Sequence, residues 1–217
     1  MPKGALVIIS APSGTGKSTV CRQLLQRRKD LRYSVSCTTR TPRPTEKNGR
    51  HYHFLSEEEF KRRIQRHEFL EWAMVHDHYY GTPRHFIERS IHEGAWVLLA
   101  IDVQGAAAIR RKLPDSVLVF LMPPSWEALR SRLAGRHDDS AESMATRLTN
   151  ARAELETAKR YDYIVVNDEL PRAVEQVECI ITAERLKTAR QDIAGLSPLA
   201  AQAHSHAHSH PHRSRTP

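Results

Sequence analysis

The sequence has few cysteines and no long apolar run, and each of these features excludes a class of protein or site. Cys21, Cys37 and Cys179 are odd in number and lack C-x-x-C spacing, so they predict neither a disulfide framework nor a zinc site. No apolar run approaches the roughly 20 residues that a membrane span needs. The short run at residues 5–9 is followed by a glycine-rich turn rather than by a signal-peptide cleavage site. We therefore expect a cytoplasmic protein without a membrane partner.

Acidic residues are also scarce relative to basic ones. The 217 residues include 25 Asp and Glu against 33 Lys and Arg, a net charge of +8 at pH 7, which predicts anionic partners. Aromatic residues make up only 6% of the chain, and the basic residues are not interleaved with them in a stripe, so nucleic acid is not the expected partner. The positive charge would instead suit the binding of a nucleotide polyphosphate together with a nucleoside monophosphate. The sequence leaves the oligomeric state open.

The most informative segment is SAPSGTGKST at residues 10–19, directly after the apolar run. It predicts a buried strand, a glycine-rich turn and a helix that begins near Gly16, an order that wraps backbone N–H groups around nucleotide phosphates. Lys17 would place its charge between the β- and γ-phosphates, and the Ser18 hydroxyl would hold Mg²⁺. A chance turn rich in Gly and Ser is the weaker alternative, because strand, helix and Lys-Ser-Thr are all in place.

One position departs from the phosphate-loop pattern G-x-x-x-x-G-K-S/T. Ala11 stands where the pattern has its first glycine. If that position needed a positive φ, alanine would cost roughly 1 kcal/mol or more. Gly14 and Gly16 remain where the backbone approaches phosphate, so we expect the cradle to survive. The residues expected to contact the donor nucleotide in this loop are Ala11, Pro12, Ser13, Gly14, Thr15, Gly16, Lys17, Ser18 and Thr19.

Apolar runs alternate with helical patterns along most of the chain, which predicts an α/β fold with a parallel sheet and helices on both faces. Four runs are typical of strands buried on both faces. They lie at residues 6–9, 97–101, 117–121 and 163–166. Helices are predicted after the phosphate loop, from Ser125 to a stop at Gly135, over residues 144–158, and from Pro171 onward.

Residues 34–91 interrupt this alternation and predict a small inserted subdomain. Residues 33–36 and 51–54 alternate like strands with one exposed face, and Ser56 with Glu59 forms a capping-box signature for a short helix. A second, polar interruption from Gly135 suits a mobile flap. After residue 190 the chain becomes rich in Ala, Ser and alternating His, which is more typical of a solvated tail than of a metal site.

Several separated motifs together make residues 4–186 resemble the guanylate kinase family. Besides the phosphate loop, they are SVSCTTRTPR at 34–43, NGRHYHF at 48–54, FLEWA at 69–73, YYGT at 79–82, IDVQG at 101–105 and VND at 166–168. The resemblance implies a P-loop nucleoside monophosphate kinase fold. Its parts would be a core (4–33, 92–134 and 160–186), a GMP-binding subdomain (34–91), a lid (135–159) and a disordered tail (187–217).

The resemblance also implies the reaction, which transfers the γ-phosphoryl of ATP to GMP, and to dGMP, with Mg²⁺ accompanying ATP. The products, ADP and GDP, belong to purine nucleotide metabolism and GMP recycling. A non-catalytic guanylate-kinase-like interaction module is the alternative, but such modules tend to lose the phosphate loop. A third possibility keeps the kinase and changes the acceptor to another nucleoside monophosphate or a sugar phosphate.

Roles for individual residues follow from the resemblance. Glu71 matches the base-reading acid, and a carboxylate suits guanine because it accepts from N1–H and the 2-amino group together. Ser36 and Thr82, beside Gly81, would bond other atoms of the base. The acceptor phosphate would take the guanidinium groups and hydroxyls of Arg40, Arg43, Tyr52 and Tyr80.

Further residues are implied at the donor side and around the transferred group. Arg132, Arg136 and Arg147 match the lid-side arginines, and Asn167 matches a residue near the donor adenine. Asp102 would act on Mg²⁺-bound water or on GMP. The family often has a second acid two residues earlier, where this chain has Ala100, so Asp102 would carry that role alone.

Overall fold

The computed structural model describes residues 3–75, 77–134 and 141–192. The strands within these ranges are β1 (Ala5–Ser10), β2 (Leu31–Tyr33), β3 (Cys37–Thr38), β4 (His53–Phe54), β5 (Phe69–Val75), β6 (His78–Pro83), β7 (Trp96–Ala100), β8 (Val117–Met122) and β9 (Tyr163–Val166). The helices are α1 (Lys17–Arg27), α2 (Glu57–Gln65), α3 (Arg84–His92), α4 (Val103–Lys112), α5 (Trp126–Ala134), α6 (Ala141–Glu156) and α7 (Leu170–Leu186). No helix in the described ranges is both long and apolar enough to cross a membrane.

The central sheet has five parallel strands in the order β2-β7-β1-β8-β9. Side chains alternate between its faces along β1. Val7 and Ile9 pack with residues of α1 and α7, whereas Leu6 and Ile8 pack with residues of α3 and α4. Because the strands are parallel, the carboxyl ends of β1 and β7 meet at one edge, which is where ligands bind in such sheets.

A second sheet, in the order β4-β3-β6-β5, stands beside this edge. It packs on α2 through a cluster in which the Phe60 ring stacks on Phe69 at 4.4 Å and on Tyr79 at 5.3 Å. A Cβ at Gly81 would lie 2.9 Å from both phenylalanine rings, so this glycine lets the sheet approach the helix. Ser56 caps α2 by accepting from the Glu59 backbone N–H at 3.2 Å.

The prediction of a strand of the insertion at residues 33–36 is wrong. Tyr33 ends β2, which pairs with β7 in the central sheet, and the Ser34 N–H donates to Leu98 O at 2.9 Å. Residues 34–36 form no strand. The second sheet instead begins at β3. The apolar residue that directs β2 is Leu31, which is buried in the central core and lies outside the alternating pattern.

Three further expectations need correction. Strand β9 is not buried on both faces, because it is the sheet's edge and leaves Ile164 and Val166 exposed. The Glu59 side chain does not complete the capping box, since it pairs with Arg62 and Arg63. Residues 187–192, expected in a disordered tail, are described by the structure, and Arg190 donates to Asp115 O at 2.8 Å. The rest of the tail lies outside the described residues.

Helix α3, within the predicted 34–91 insertion, packs on the central sheet, where Ile87 is fully buried with Leu6, Leu99 and Ile109. The helices predicted at 125–134, 144–158 and after Pro171 are confirmed as α5, α6 and α7, although a 3-10 turn at Thr157–Arg160 replaces the end of the second one. The predicted helix stop at Gly135 lies outside the described residues.

Candidate active site

The turn between β1 and α1 is an open backbone cradle. Gly14 and Gly16 have φ of 86° and 97°, a region that non-glycine residues rarely adopt. Both glycines are also closely packed, because a Cβ at Gly16 would lie 2.6 Å from Asn167 Nδ2 and one at Gly14 would lie 2.9 Å from Leu133 Cδ2. Gly16 is the N-cap of α1 and no side chain caps the helix, so the first N–H groups face the cleft with the positive end of the helix dipole.

Ala11 carries no backbone strain. Among the described residues, the non-glycine positions with positive φ are His67 and Asp77. Ala11, which is buried directly after β1, is not one of them. Its backbone therefore occupies a region that alanine adopts without cost. The missing first glycine leaves the geometry of the turn intact.

Two distant side chains hold the carbonyl of Thr15, at the centre of the turn. Asn167 Nδ2 donates to it at 2.6 Å, and Arg132 Nη1 donates at 3.4 Å while Nη2 donates to Asn167 O at 3.1 Å. Asn167 follows β9 and Arg132 lies on α5. These contacts tie two distant segments, α5 and the residues after β9, to the phosphate loop.

Lys17 reaches across to the end of β7, where its Nζ donates to Ile101 O at 2.6 Å. Burial lowers the pKa of Lys17 below its usual range, and the carboxylate of Asp102 opposes that shift. Asp102 itself caps α4, since its Oδ1 accepts from the N–H groups of Gln104 at 2.8 Å and Gly105 at 2.9 Å. Its second oxygen takes no part in that cap.

Glu71 lies on β5 with 8% of its surface exposed. Its Oε1 accepts from the Thr82 hydroxyl at 2.5 Å, across the β5–β6 pair. Burial raises the pKa of Glu71 to about 7, with Thr82 opposing the shift and Asp102 adding to it. A buried carboxyl with an unfilled edge is suited to take a ligand that brings hydrogen-bond donors.

Arg40 and Arg43 follow β3, and a carboxylate absent from the sequence prediction joins them. Glu46 accepts from Arg40 Nη2 with both oxygens at 2.9 Å and from the Arg43 N–H at 2.8 Å. The Arg40 guanidinium also lies 5.7 Å from the centre of the Tyr52 ring. The sequence marks Arg40 and Arg43 by their motif, but nothing local marks Glu46 as their partner.

One cleft of about 410 Å³ joins the two halves. Its lining includes the predicted residues Ala11, Pro12, Ser13, Gly14, Gly16, Lys17, Ser18, Thr19, Ser36, Arg43, Tyr52, Glu71, Tyr80, Gly81 and Asp102. The cleft thus runs from a cationic backbone cradle at one end to a buried carboxyl at the other. That arrangement is suited to two nucleotides whose phosphates face each other.

Comparison with known proteins identifies the family. A family model described as guanylate kinase matches residues 3–184. A guanylate kinase of Rhizobium meliloti is 50% identical over 190 residues, covering 87% of each chain. One of Caldanaerobacter subterraneus is 47% identical over 188 residues, covering 87% of this chain and 91% of that one. The chain belongs to the guanylate kinase family.

A solved guanylate kinase agrees in three dimensions. The crystal structure of the enzyme from Anaplasma phagocytophilum matches with a TM-score of 0.75 at 35% identity, covering 88% of this chain and 92% of that one. Guanylate kinases are ATP:GMP phosphotransferases, and this activity is therefore that of the chain. The matches give no support to the non-catalytic interaction module.

Several predicted residues lie beside the cleft rather than in its lining. Thr15, Arg132 and Asn167 form the support of the phosphate loop, Thr82 contacts Glu71, and Arg40 is engaged by Glu46. Arg147 lies on α6 and is half-buried. Arg136 lies outside the described residues.

A second residue that the sequence did not single out is Glu154. It lies on α6 and lines the cleft with Lys17 and Asp102. Burial raises the pKa of Glu154 to about 7, and Lys17 opposes the shift. Its position seven residues after Arg147 was the available signal, since that spacing puts both on one helix face.

Proposed function

We propose that ATP binds with its phosphates in the β1–α1 turn and that GMP binds against the second sheet, so that the two phosphate ends meet near Lys17. The observation that carries this assignment is the continuous cleft between the phosphate loop and Glu71. Lys17, with its Nζ held at the end of β7, places its positive charge between the β- and γ-phosphates. Asn167 contributes from behind the loop, next to the donor base.

The acceptor base is selected by Glu71. Its carboxylate accepts from guanine N1–H and the 2-amino group, while Thr82 fixes the other face of the carboxyl and Ser36 bonds the rim of the base. Adenine presents an acceptor at N1, which a buried carboxylate repels. The acceptor phosphate is bound by Arg40 and Arg43 together with the hydroxyls of Tyr52 and Tyr80.

Mg²⁺ accompanies the donor. The oxygen donors present fit this ion, since Ser18 lies at the mouth of the loop and Asp102 lines the same cleft. No group of three His, Cys, Asp or Glu side chains in the described ranges forms a metal cage by itself, which suits an ion held chiefly by substrate phosphates. When bound, it neutralises charge on the phosphates.

The arginines complete the charge neutralisation. Arg132 already lies at the phosphate loop, and Arg136 and Arg147 join it from the lid at residues 135–159. Such arginines contribute on the order of 10³–10⁵ in rate in other phosphoryl-transfer enzymes. The GMP-binding subdomain is then the predicted 34–91 segment without helix α3, which packs on the central sheet, and residues 135–159 act as the lid.

A cytoplasmic location completes the proposal, with nucleotides as the partners and neither nucleic acid nor membrane required. The free thiols of Cys21, Cys37 and Cys179 suit a reducing compartment. The excess of basic residues is used at least in part by the phosphates of the two nucleotides.

A panel of GMP, dGMP, AMP, UMP and CMP with the wild type and Glu71→Gln tests the assignment. We expect GMP and dGMP to be phosphorylated far faster than the others. In Glu71→Gln, kcat/KM for GMP should fall by about 30- to 1000-fold, equivalent to about 2–4 kcal/mol, because the amide replaces one acceptor by a donor. Glu58→Gln, at an exposed position on α2, is the control. An unchanged GMP preference in Glu71→Gln would reject the assigned acceptor site.

A further inference from the structure

Glu154 is a carboxylate of the cleft to which the proposed reaction gives no role. It lies near the C-terminal end of α6, within the segment proposed as the lid, and it lines the same cleft as the phosphate loop. The fully packed Ala151 lies one turn earlier, so this face of the helix is turned toward the protein. A carboxylate here acts on whatever occupies the loop.

The charged and titratable groups around Glu154 come from three elements. Lys17 belongs to α1, Asp102 precedes α4, and Tyr161 follows the Thr157–Arg160 turn. The carboxylate helps to keep Lys17 charged, and Lys17 helps to keep the carboxylate ionised. A polyphosphate in the loop takes over the charge of Lys17 and leaves Glu154 facing a like charge.

The other two carboxylates of the cleft are already engaged. Asp102 caps α4 with Oδ1, and Glu71 accepts from Thr82. Within the described part of the chain, the Glu154 carboxylate accepts no hydrogen bond from another residue and is thus available to the donor subsite. Its neighbour Glu156, on the same helix, is exposed and lines a different groove.

We propose that Glu154 makes the donor subsite select the Mg²⁺ complex of a nucleoside triphosphate over the metal-free polyphosphate. The inference depends on the assignment of ATP to the phosphate loop. An ionised carboxylate in a partly buried cleft repels a bare triphosphate, and the repulsion is reduced once Mg²⁺ offsets the phosphate charge.

Direct binding measurements test the inference without turnover. The dissociation constants of ATP with EDTA and of ATP with excess Mg²⁺ are measured by calorimetry, without GMP, for the wild type, Glu154→Gln and the control Glu156→Gln. At pH 8, Glu154→Gln should bind metal-free ATP about three- to tenfold more tightly than the wild type. The affinity for the Mg²⁺ complex should change by less than about twofold, so the selectivity ratio falls.

The pH dependence separates charge from shape. At pH 6 the wild-type carboxyl is largely protonated, because its pKa is about 7, and the difference between wild type and Glu154→Gln should disappear. The titration of ATP itself is common to both proteins and cancels in the ratio. Glu156→Gln should match the wild type at both pH values.

Three outcomes would overturn the inference: an unchanged selectivity ratio at pH 8, weaker binding of metal-free ATP by Glu154→Gln, or a difference that persists at pH 6. Glu154→Ala, a second neutral variant, should repeat the direction if Glu154→Gln folds poorly. Failure of the donor assignment is distinguishable, since Lys17→Ala would then bind ATP with the same affinity as the wild type.

Discussion

The two halves of the cleft are built differently. The donor half is made of backbone, since its shape depends on the φ of Gly14 and Gly16 and on contacts to one carbonyl of the loop. The acceptor half is made of side chains on a small sheet, arranged as the pairs Glu71–Thr82 and Arg40–Glu46. A site made of backbone needs glycine at fixed positions, whereas a site made of side chains needs partners that are distant in the sequence.

Both halves hold a charge that burial disfavours. Burial lowers the pKa of Lys17 in one half and raises that of Glu71 in the other. Each ligand brings the missing counter-charge or hydrogen bonds, namely phosphate for Lys17 and two N–H donors for Glu71. The empty protein therefore holds its ionised groups at a cost that substrates relieve.

The largest effect is expected at the donor half. Lys17→Ala removes the charge aimed at the transferring phosphate, so kcat/KM for ATP should fall by about 10³-fold or more. The central sheet should be unaffected, and thermal unfolding should show a native transition. Lys29→Ala, at an exposed position two residues after the end of α1, is the matched control. Wild-type turnover in Lys17→Ala would refute the phosphate-loop assignment.

Gly16→Ala tests whether the donor half depends on backbone shape. The new Cβ would lie 2.6 Å from Asn167 Nδ2, and the alanine would have to adopt a φ of 97°. We expect a loss of about 1–3 kcal/mol in stability and a marked loss of ATP affinity. Gly49→Ala shares a positive φ of 75°, but the nearest atom to its Cβ would be His53 Cε1 at 4.0 Å, an ordinary contact, so it separates backbone strain from steric clash. Equal effects of the two variants would show that the contact with Asn167 is unimportant.

The same difference explains what the sequence could predict. Strands β1, β7 and β8 are continuous apolar runs, and the phosphate loop is a local motif, so both could be read directly. Glu46 could not be recognised, because its role depends on how the chain after β3 folds back on Arg40. The support of Thr15 by Arg132 and Asn167 joins residues more than 100 positions apart, and no local pattern encodes it.

The two edge strands of the central sheet show the same limit. Strand β2 has three residues and one buried apolar side chain, too little signal to distinguish a central-sheet edge from the insertion. Strand β9 is apolar at each of its positions, yet half of them face outward because the strand has a neighbour on one side only. Composition predicted its existence, and its place in the sheet decided its burial.

The acceptor half should respond to pH. GMP requires the ionised carboxylate of Glu71, whose pKa in the empty protein is about 7. The affinity for GMP should therefore rise about tenfold between pH 6 and pH 8, following the ionised fraction. Glu71→Gln provides the baseline, because it retains only the titration of the GMP phosphate. Parallel pH profiles for the two proteins would contradict the role of Glu71.

Glu71→Gln should also stabilise the empty protein. The pKa of Glu71 is about 7 when folded and near 4.5 when unfolded, so the folded state binds the proton more tightly. Its stability then falls as pH rises from about 4.5 to 7 and stays reduced above that range. The variant should gain about 1–3 kcal/mol at pH 8 and progressively less toward pH 4.5. Denaturant unfolding at both pH values measures this, and a gain that is equal at both would assign it to packing instead of ionisation.

Ala11→Gly should have the smallest effect and bears on the donor half's one departure from its motif. Ala11 has no positive φ, so glycine would relieve no strain and would only increase the freedom of the unfolded chain. We expect a loss of about 0.4–1 kcal/mol in stability and an affinity for ATP within about twofold of the wild type. Calorimetry with ATP on Ala11→Gly and Gly16→Ala thus compares how much each of the two glycine positions of the pattern contributes to ATP affinity. A clear gain in ATP affinity in Ala11→Gly would mean that the loop must pass through a left-handed conformation at residue 11 when phosphate binds.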